Sequence, residues 1–201
     1  MTDSLLYRPG HRQLQAEFQS ERIADRLEEV NLRTEFSEKD QAFVERAPFF
    51  FLATVDGEGQ PSVSYKGGLP GFVRVVGKAE LAYPDYDGNG MFMSLGNVLE
   101  NPKICMLFID FETPARLVVR GRASIHRDDP LLAHTVGAQL IVRVAAESIY
   151  PNCPRYIHRM KLLEPSEYAP QVTKPPVEPA WKSFPEFRDF VPPRRPTASG
   201  R

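Results

Sequence analysis

Between Phe49 and Tyr150 the sequence consists largely of short apolar segments with a strand-like period, separated by turn-forming residues. Strands of this length that follow one another through tight turns pair as antiparallel hairpins. The segments predicted as strands are 49–56, 60–65, 72–77, 78–84, 103–110, 115–126 and 139–150. Because few helices lie between them, the pattern favours a small antiparallel barrel over a doubly wound sheet.

Three helices are predicted around these strands. Residues 13–30 are rich in helix formers and carry an apolar stripe, which predicts one helix ahead of the barrel. Ser37 and Asp40 form a capping pattern that opens a short helix through Ala47. A third helix is predicted over 92–100, where a following Asn-Pro pair ends it.

Proline accumulates toward the C-terminus, since nine of the 19 prolines lie between Pro165 and Pro196. This density excludes a regular sheet or a long helix. Composition alone indicates a disordered tail. Four large aromatic side chains recur there at every third position, namely Trp181, Phe184, Phe187 and Phe190. Because aromatic side chains bury much apolar area, they favour a segment that wraps the body of its own or a partner subunit.

The composition excludes several classes of protein. The 201 residues include 25 Lys and Arg and 26 Asp and Glu, a net charge of −1, whereas a dedicated polyanion binder carries a basic excess. Two cysteines are too few for a disulfide framework or a typical zinc site, and the four histidines show no metal-ligand spacing. The N-terminal residues lack the apolar core of a secretory signal, so we expect a cytoplasmic protein with no membrane span.

The first candidate for ligand binding is the stretch that ends in Lys66-Gly67-Gly68. A cation followed by two glycines permits close approach of a backbone to an anion or a cofactor, although a glycine turn beside an exposed lysine has the same pattern. The second candidate is the helix predicted over 92–100. Asn89 precedes this helix, and its free N–H groups and small polar side chains, Ser94 and Asn97, could seat a phosphate. A capped surface helix is the alternative.

A third candidate is the row of arginines Arg116, Arg120 and Arg122, which share one face of the strand predicted over 115–126. They are equally compatible with a solvated surface and with binding of a phosphate or of a partner's carboxylates. No nucleophile elbow, P-loop or dinucleotide glycine fingerprint occurs in the sequence.

The order of these segments resembles the pyridoxamine 5′-phosphate oxidase-like family of FMN-binding split barrels, in its poorly characterised branch. The resemblance covers about residues 47–165 and rests on three motifs: the A-T-x-x-x-x-G-x-P hairpin, the N-P-K-I-x-M-L-F junction and the V-x-G-x-A strand. It implies a mainly β fold with flanking helices, a six-stranded antiparallel split β-barrel, and a homodimer with FMN between the subunits. The implied organisation is a helical extension (1–46), the split barrel (47–165) and a proline-rich arm (166–201).

By this resemblance, several residues are expected to contact FMN. Lys66 is expected near the phosphate or the ribityl chain, Ser94 at the phosphate, and Ser64 and Tyr65 along the isoalloxazine ring. Tyr83, Pro84 and Asp85 match the strand end that touches the ring, and Arg116 matches a polar cofactor contact. Asn89 and Asn97 are added from the helix-terminus argument above.

The sequence departs from the true vitamin B6 oxidase at two places. Met93 and Ser94 stand where that enzyme carries an Arg-Lys pair, and FVPPRRP (190–196) does not match its basic substrate motif. The resemblance therefore predicts an FMN-dependent oxidoreductase that is not that oxidase, acting on a small-molecule substrate or a nicotinamide donor. The alternatives are a non-catalytic flavin, haem or tetrapyrrole-binding module and a deazaflavin-dependent reductase. No catalytic residue and no metal ligand is assigned.

Overall fold

The computed structural model describes residues 4–193, so the last part of the proline-rich arm, 194–201, lies outside the described residues together with 1–3. The helices are α1 (Pro9–Glu17), α2 (Glu21–Asn31), α3 (Glu38–Arg46) and α4 (Met93–Glu100). The strands are β1 (Phe49–Val55), β2 (Pro61–Gly67), β3 (Arg74–Gly77), β4 (Glu80–Tyr86), β5 (Lys103–Asp110), β6 (Ala115–His126) and β7 (Ala138–Pro151). No helix among the described residues is long and apolar enough to cross a membrane.

The strands form one antiparallel sheet in the order β2-β1-β5-β6-β7-β4-β3. The mainly β prediction is confirmed, but the sheet has seven strands rather than the six that the resemblance implies. Seven is the number of segments that the strand period predicts. The strands predicted over 72–77 and 78–84 are found as β3 and β4, which pair at one edge of the sheet.

The sheet curls until its inner face closes on itself. β1 and β4 are separated in the sheet by β5, β6 and β7, yet the rings of Phe50 and Tyr83 are 5.0 Å apart. Phe50 also lies 5.3 Å from Phe108 of β5 and 5.9 Å from Phe72, which precedes β3. Alternate side chains of the strands therefore fill a barrel interior, as a strand period of two requires. Val44 of α3 is fully buried in the same core.

The helix predicted over 13–30 is instead two helices, α1 and α2. Gln19 has φ 53°, the N–H of Gln19 donates to the carbonyl of Ala16 (3.2 Å), and the N–H of Ser20 donates to that of Gln15 (2.8 Å). These two bonds are those of a Schellman motif, which ends a helix at a left-handed residue. Glycine usually occupies that position, and the glutamine gave no such signal. The helices predicted from Ser37 and over 92–100 are confirmed as α3 and α4.

Candidate functional site

One cavity collects several of the polar residues singled out from the sequence. It has a volume of about 500 Å³ and lies between β2, the end of β4, the loop that leads into α4, and the proline-rich arm. We call it the serine-lysine cavity. Five of the predicted cofactor-binding residues line it, namely Ser64, Lys66, Asp85, Asn89 and Ser94.

The first wall of this cavity is one face of β2. Ser62, Ser64 and Lys66 alternate with exposed residues along the strand, and all three line the cavity. The hydroxyl of Ser64 lies 2.9 Å from that of Ser94, which joins β2 to α4. Within residues 4–193, the ammonium of the half-buried Lys66 has no hydrogen bond or ion pair. A cation in this setting is available to an anionic ligand.

The second wall is the start of α4. The side chain of Asn89 accepts a hydrogen bond from the N–H of Met91 (3.0 Å), which shapes the loop before the helix. Phe92 occupies the N-cap with φ 49° and offers no side chain that could cap the helix. The first N–H groups of α4 therefore receive no side-chain cap, and they lie beside the buried Ser94 at the positive end of the helix dipole.

Asp85 brings a carboxyl group into the same cavity from β4. Burial raises the pKa of Asp85 above its usual value of 3.8; the charge of Lys66 opposes this rise and that of Asp87 adds to it. A carboxyl group whose pKa is higher in the folded state than in the unfolded chain destabilises the fold once the pH exceeds the unfolded value.

We therefore expect Asp85→Asn to raise the melting temperature of the flavin-free protein at neutral pH. This gain should vanish below about pH 4, near the usual pKa of 3.8, because Asp85 is then protonated in both states. Thermal unfolding monitored by circular dichroism at several pH values measures the difference in melting temperature between the variant and the natural protein. Asp128→Asn, at an exposed position outside this cavity, is the matched control. A gain of the same size at pH 3 would contradict this explanation.

The structure does not bring three predicted cofactor contacts into the cavity. Tyr83 is 2% exposed and its ring packs in the barrel core, where its hydroxyl finds no partner among the described residues. Pro84 is also buried, in the middle of the paired stretch of β4. The amide of Asn97 donates to the buried hydroxyl of Thr54 (3.0 Å), so this side chain anchors α4 to β1.

Two further predicted contacts, Tyr65 and Arg116, lie on the outer face of the sheet. Tyr65 points away from Ser64 and Lys66, is 62% exposed, and stacks on Phe49 with the ring centroids 5.3 Å apart. Arg116 lies on β6, which β1 and β5 separate from β2. Its Nε is buried without a hydrogen-bond partner in the stretch that the structure covers.

The two glycines after Lys66 have a packing role. A Cβ atom on Gly68 would lie 2.6 Å from the ring of Phe72, and one on Gly67 would lie 2.7 Å from the ring of Tyr65. Real Cβ atoms do not approach other atoms so closely, so aromatic rings occupy the space in question. The absence of side chains at both glycines therefore makes room for these rings, and close approach of a ligand to this backbone stays a prediction.

Four residues that line the cavity were not predicted as site residues, namely Ser62, Gln139, Lys182 and Trp181, the last of which was predicted only as an aromatic residue of the arm. The alternation of side chains along β2 predicts that Ser62 shares a face with Ser64. Lys182 is held by Asp87 at 2.5 Å, across 95 residues of sequence, and by Glu178 at 3.3 Å. No local pattern predicts this contact. It holds the arm against the body of its own chain at Lys182, as predicted. The expected burial of the arm's aromatic rings is found only in part, because Phe184, Phe187 and Phe190 stay 45%, 46% and 84% exposed.

These groups form a donor set suited to a phosphate. An unpaired ammonium, three serine hydroxyls and the first N–H groups of a helix surround a space of about 500 Å³, within the usual size of a small-molecule site. Phosphate oxygens accept hydrogen bonds from each of these groups.

Comparison with known proteins gives one match at the level of sequence. The family model described as pyridoxamine 5′-phosphate oxidase matches residues 36–163, more than half of the chain. No curated protein matches the sequence.

Several solved structures are similar to part of this chain. A candidate pyridoxamine 5′-phosphate oxidase from Lactobacillus delbrueckii is 23% identical over 59% of this chain and 95% of its own, with a TM-score of 0.48. HupZ of Group A Streptococcus is 18% identical over 58% of this chain and 93% of its own, with a TM-score of 0.47. An FAD-binding protein from Mesorhizobium loti is 18% identical over 61% of this chain and 99% of its own, with a TM-score of 0.40.

Proposed function

The chain belongs to the pyridoxamine 5′-phosphate oxidase family, and we propose that it is an FMN-dependent oxidoreductase whose serine-lysine cavity binds the cofactor. The observation that carries the proposal is the unpaired ammonium of Lys66 among serine hydroxyls and the start of α4. When bound, FMN supplies two-electron transfer at its flavin ring, and the protein supplies binding and orientation.

Each wall of the cavity has a role in this proposal. Lys66 pairs with the FMN phosphate, and the N–H groups at the start of α4 bind the same anion. Ser64 and Ser94, which already share a hydrogen bond of 2.9 Å, donate their remaining hydroxyl capacity to phosphate or ribityl oxygens. The carboxyl of Asp85 lies opposite the cation and binds hydroxyl groups of the ligand. The arm excludes water through Trp181 and Lys182.

We expect the protein to bind FMN in preference to FAD, because the donor set is suited to a single terminal phosphate. Titration of flavin-free protein with both flavins, followed by flavin fluorescence, measures the two affinities. Deazaflavin and haem are tested in the same way. Equal affinity for FMN and FAD, or tighter binding of another cofactor, would remove the FMN assignment.

We expect the FMN-loaded protein to turn over with a nicotinamide donor and to act poorly on pyridoxamine 5′-phosphate. The chain carries Met93 and Ser94 in place of the basic pair of the vitamin B6 oxidase. Stopped-flow measurement of flavin absorbance compares the rates at which NADH, NADPH and pyridoxamine 5′-phosphate reduce the bound flavin. Rapid turnover of the vitamin would assign the protein to B6 oxidation. Tight FMN retention without reduction by any donor would favour a non-catalytic binding module.

We also propose that the functional unit is a homodimer, formed through the outer face of β1, β2 and β5. On this face Phe49 stacks on Tyr65 and on Phe111, and Val63 is 70% exposed beside them. A flat aromatic surface of this kind resembles the buried centre of a subunit interface. Arg116, which lies outside its own chain's cavity, could meet FMN only in a cavity shared with a second copy.

We expect Tyr65→Glu to convert the dimer to a monomer, because the change places a charge at the centre of the proposed interface. Sedimentation at micromolar concentration should show two chains for the natural protein and one for the variant. Phe18→Glu is the matched control, since Phe18 is another exposed aromatic residue (73%) and lies at the C-terminal end of α1, outside the strands of the proposed interface. A natural protein that sediments as a monomer and still binds FMN would contradict the shared site.

A further inference from the structure

A second cavity lies next to the first one, under the proline-rich arm. It has a volume of about 490 Å³ and lies between the residues that follow β4 and the arm segment 167–181. We call it the arm cavity. The two cavities share one wall, formed by Tyr86, Asp87, Gly88, Asn89 and Trp181. A ligand in the arm cavity would therefore lie beside whatever occupies the serine-lysine cavity.

Specific contacts hold the arm in this position. Lys182, whose side chain is only 15% exposed, bridges Asp87 of the body and Glu178 of the arm. Gly137 has φ 76°, and a Cβ atom there would lie 2.6 Å from the ring of Pro170. The body thus has a residue without a side chain where the arm comes closest. Trp181 is oriented by the edge-on ring of Phe187, 5.9 Å away.

The lining of the arm cavity indicates the chemistry of its ligand. Flat apolar surfaces come from Tyr86, Tyr168 and Trp181 and from several prolines of the arm. Of the charged groups, Asp87 is already paired with Lys182, and Glu167 and Lys174 carry opposite charges. The cavity therefore offers broad surfaces for a planar ring and little net charge to attract an ion.

Tyr86 supplies one polar group for orientation. Burial raises the pKa of Tyr86 to about 12, so its phenol stays protonated at neutral pH; the nearby Arg74 opposes this rise. The hydroxyl makes no hydrogen bond with the rest of residues 4–193. It is free to donate to an acceptor on a ligand, and a carbonyl oxygen attached to a ring is such an acceptor.

We propose that the arm cavity binds the ring of a co-substrate, an uncharged planar ring that bears a carbonyl oxygen, beside the flavin. This inference rests on the proposed function, since it takes the serine-lysine cavity as the flavin site. A reduced nicotinamide and a quinone share this chemistry. The phenol of Tyr86 donates to the carbonyl oxygen, and Trp181 lies along the wall that the two cavities share.

Trp181 is the single tryptophan of the chain, so its emission reports on this wall. We expect saturable quenching of that emission when menadione, as the quinone, or tetrahydro-NADH, as an unreactive nicotinamide, is added to FMN-loaded protein. Saturation by one of the two probes identifies the source of the ring. An excess of ADP-ribose, which lacks the ring, should not displace the bound probe. Displacement by ADP-ribose would overturn the proposal.

Two variants test the location. Ala169→Phe fills the arm cavity and should abolish saturable quenching while FMN is retained, whereas Ala133→Phe, at an exposed position outside the arm cavity, should change neither. Tyr86→Phe should weaken ring binding about two- to tenfold, the equivalent of one neutral hydrogen bond. Quenching that persists in Ala169→Phe would overturn the proposal.

Flavin absorbance of the same samples separates the two proposals. Normal FMN binding with no ring quenching would overturn the arm cavity and leave the flavin site intact. Ring quenching in a protein that cannot bind FMN would overturn both the flavin site and the co-substrate role that depends on it.

Discussion

Replacing Arg33 by alanine should lower the free energy of unfolding by about 2–4 kcal/mol, somewhat less than the cost of breaking a fully buried ion pair, because the Arg33 side chain is 31% exposed. Arg33 donates two hydrogen bonds to the carboxylate of Asp40, at 2.8 and 2.7 Å, and Asp40 is 5% exposed. Without Arg33, the carboxylate would keep the hydrogen bonds from Ser37 but lose its counter-charge. Urea denaturation measures the change.

Arg33→Ala tests the side-chain link to Asp40 alone, because alanine keeps the backbone hydrogen bonds of Arg33. Its backbone exchanges hydrogen bonds with Ile149 of β7, at 2.9 and 2.8 Å, so it fastens the N-terminal helices to the barrel. Burial alone would raise the pKa of Asp40, but hydrogen bonds from Arg33 and Ser37 outweigh it and hold the pKa below its usual value of 3.8. The stability that this carboxylate contributes should be lost as the pH falls below that value.

Arg26→Ala is the matched control for Arg33→Ala. Arg26 forms an ion pair with Glu29 at 2.7 Å, but both side chains are more than 60% exposed. Exposed pairs contribute about 0–1 kcal/mol, so this variant should unfold almost as the natural protein does. The double variant with Arg33→Ala and Asp40→Asn should lose less than the two single losses added, since no unpaired charge stays buried. Equal losses for Arg33→Ala and Arg26→Ala would contradict the account.

The parts of the site that could be predicted from sequence are those set by local periodicity. A strand period of two is enough to place Ser62, Ser64 and Lys66 on one face of β2 and Val63 and Tyr65 on the other. The capping pattern of Ser37 and Asp40 likewise depends on a spacing of three residues, and the structure confirms it.

The parts that could not be predicted depend on contacts between distant segments or on atypical residues. The pairing of Lys182 with Asp87 spans 95 residues, and no spacing rule covers it. Tyr83 and Asp85 share one face of β4, but only the closing of the barrel decides that Tyr83 is enclosed while Asp85 reaches the cavity. The break at Gln19 lacked the glycine that normally marks a helix end.

These distant contacts explain how one barrel can offer two adjacent cavities. The strands and α4 supply the polar serine-lysine cavity, and the arm adds an apolar cavity along the same wall. The local spacing of residues along β2 and α4 therefore predicts an anion site, whereas the position of the arm determines that an apolar cavity lies beside it. The proposed phosphate site has Lys66 as its unpaired cation, since Lys182 is paired with Asp87, so Lys66 should be the position most sensitive to substitution.

Lys66→Ala should accordingly weaken FMN binding roughly tenfold to a hundredfold. A charge-assisted hydrogen bond contributes about 1.5–3 kcal/mol, and each 1.4 kcal/mol is a factor of ten in affinity. Folding should stay close to normal, because Lys66 makes no hydrogen bond or ion pair inside residues 4–193 that the substitution would remove. Flavin fluorescence titration gives the affinity, and thermal unfolding of the flavin-free protein gives the stability.

Two further variants separate the charge of Lys66 from its bulk and from the general charge of the protein. Lys66→Met keeps most of the apolar stem but removes the ammonium, so it should bind FMN as weakly as Lys66→Ala does. Lys103→Ala removes a cation at an exposed position on β5, outside the cavity, and should leave the affinity unchanged. The loss at Lys66 should also shrink for riboflavin, which lacks the phosphate. Equal losses for FMN and riboflavin would place Lys66 away from the phosphate and return it to the role of an exposed surface lysine.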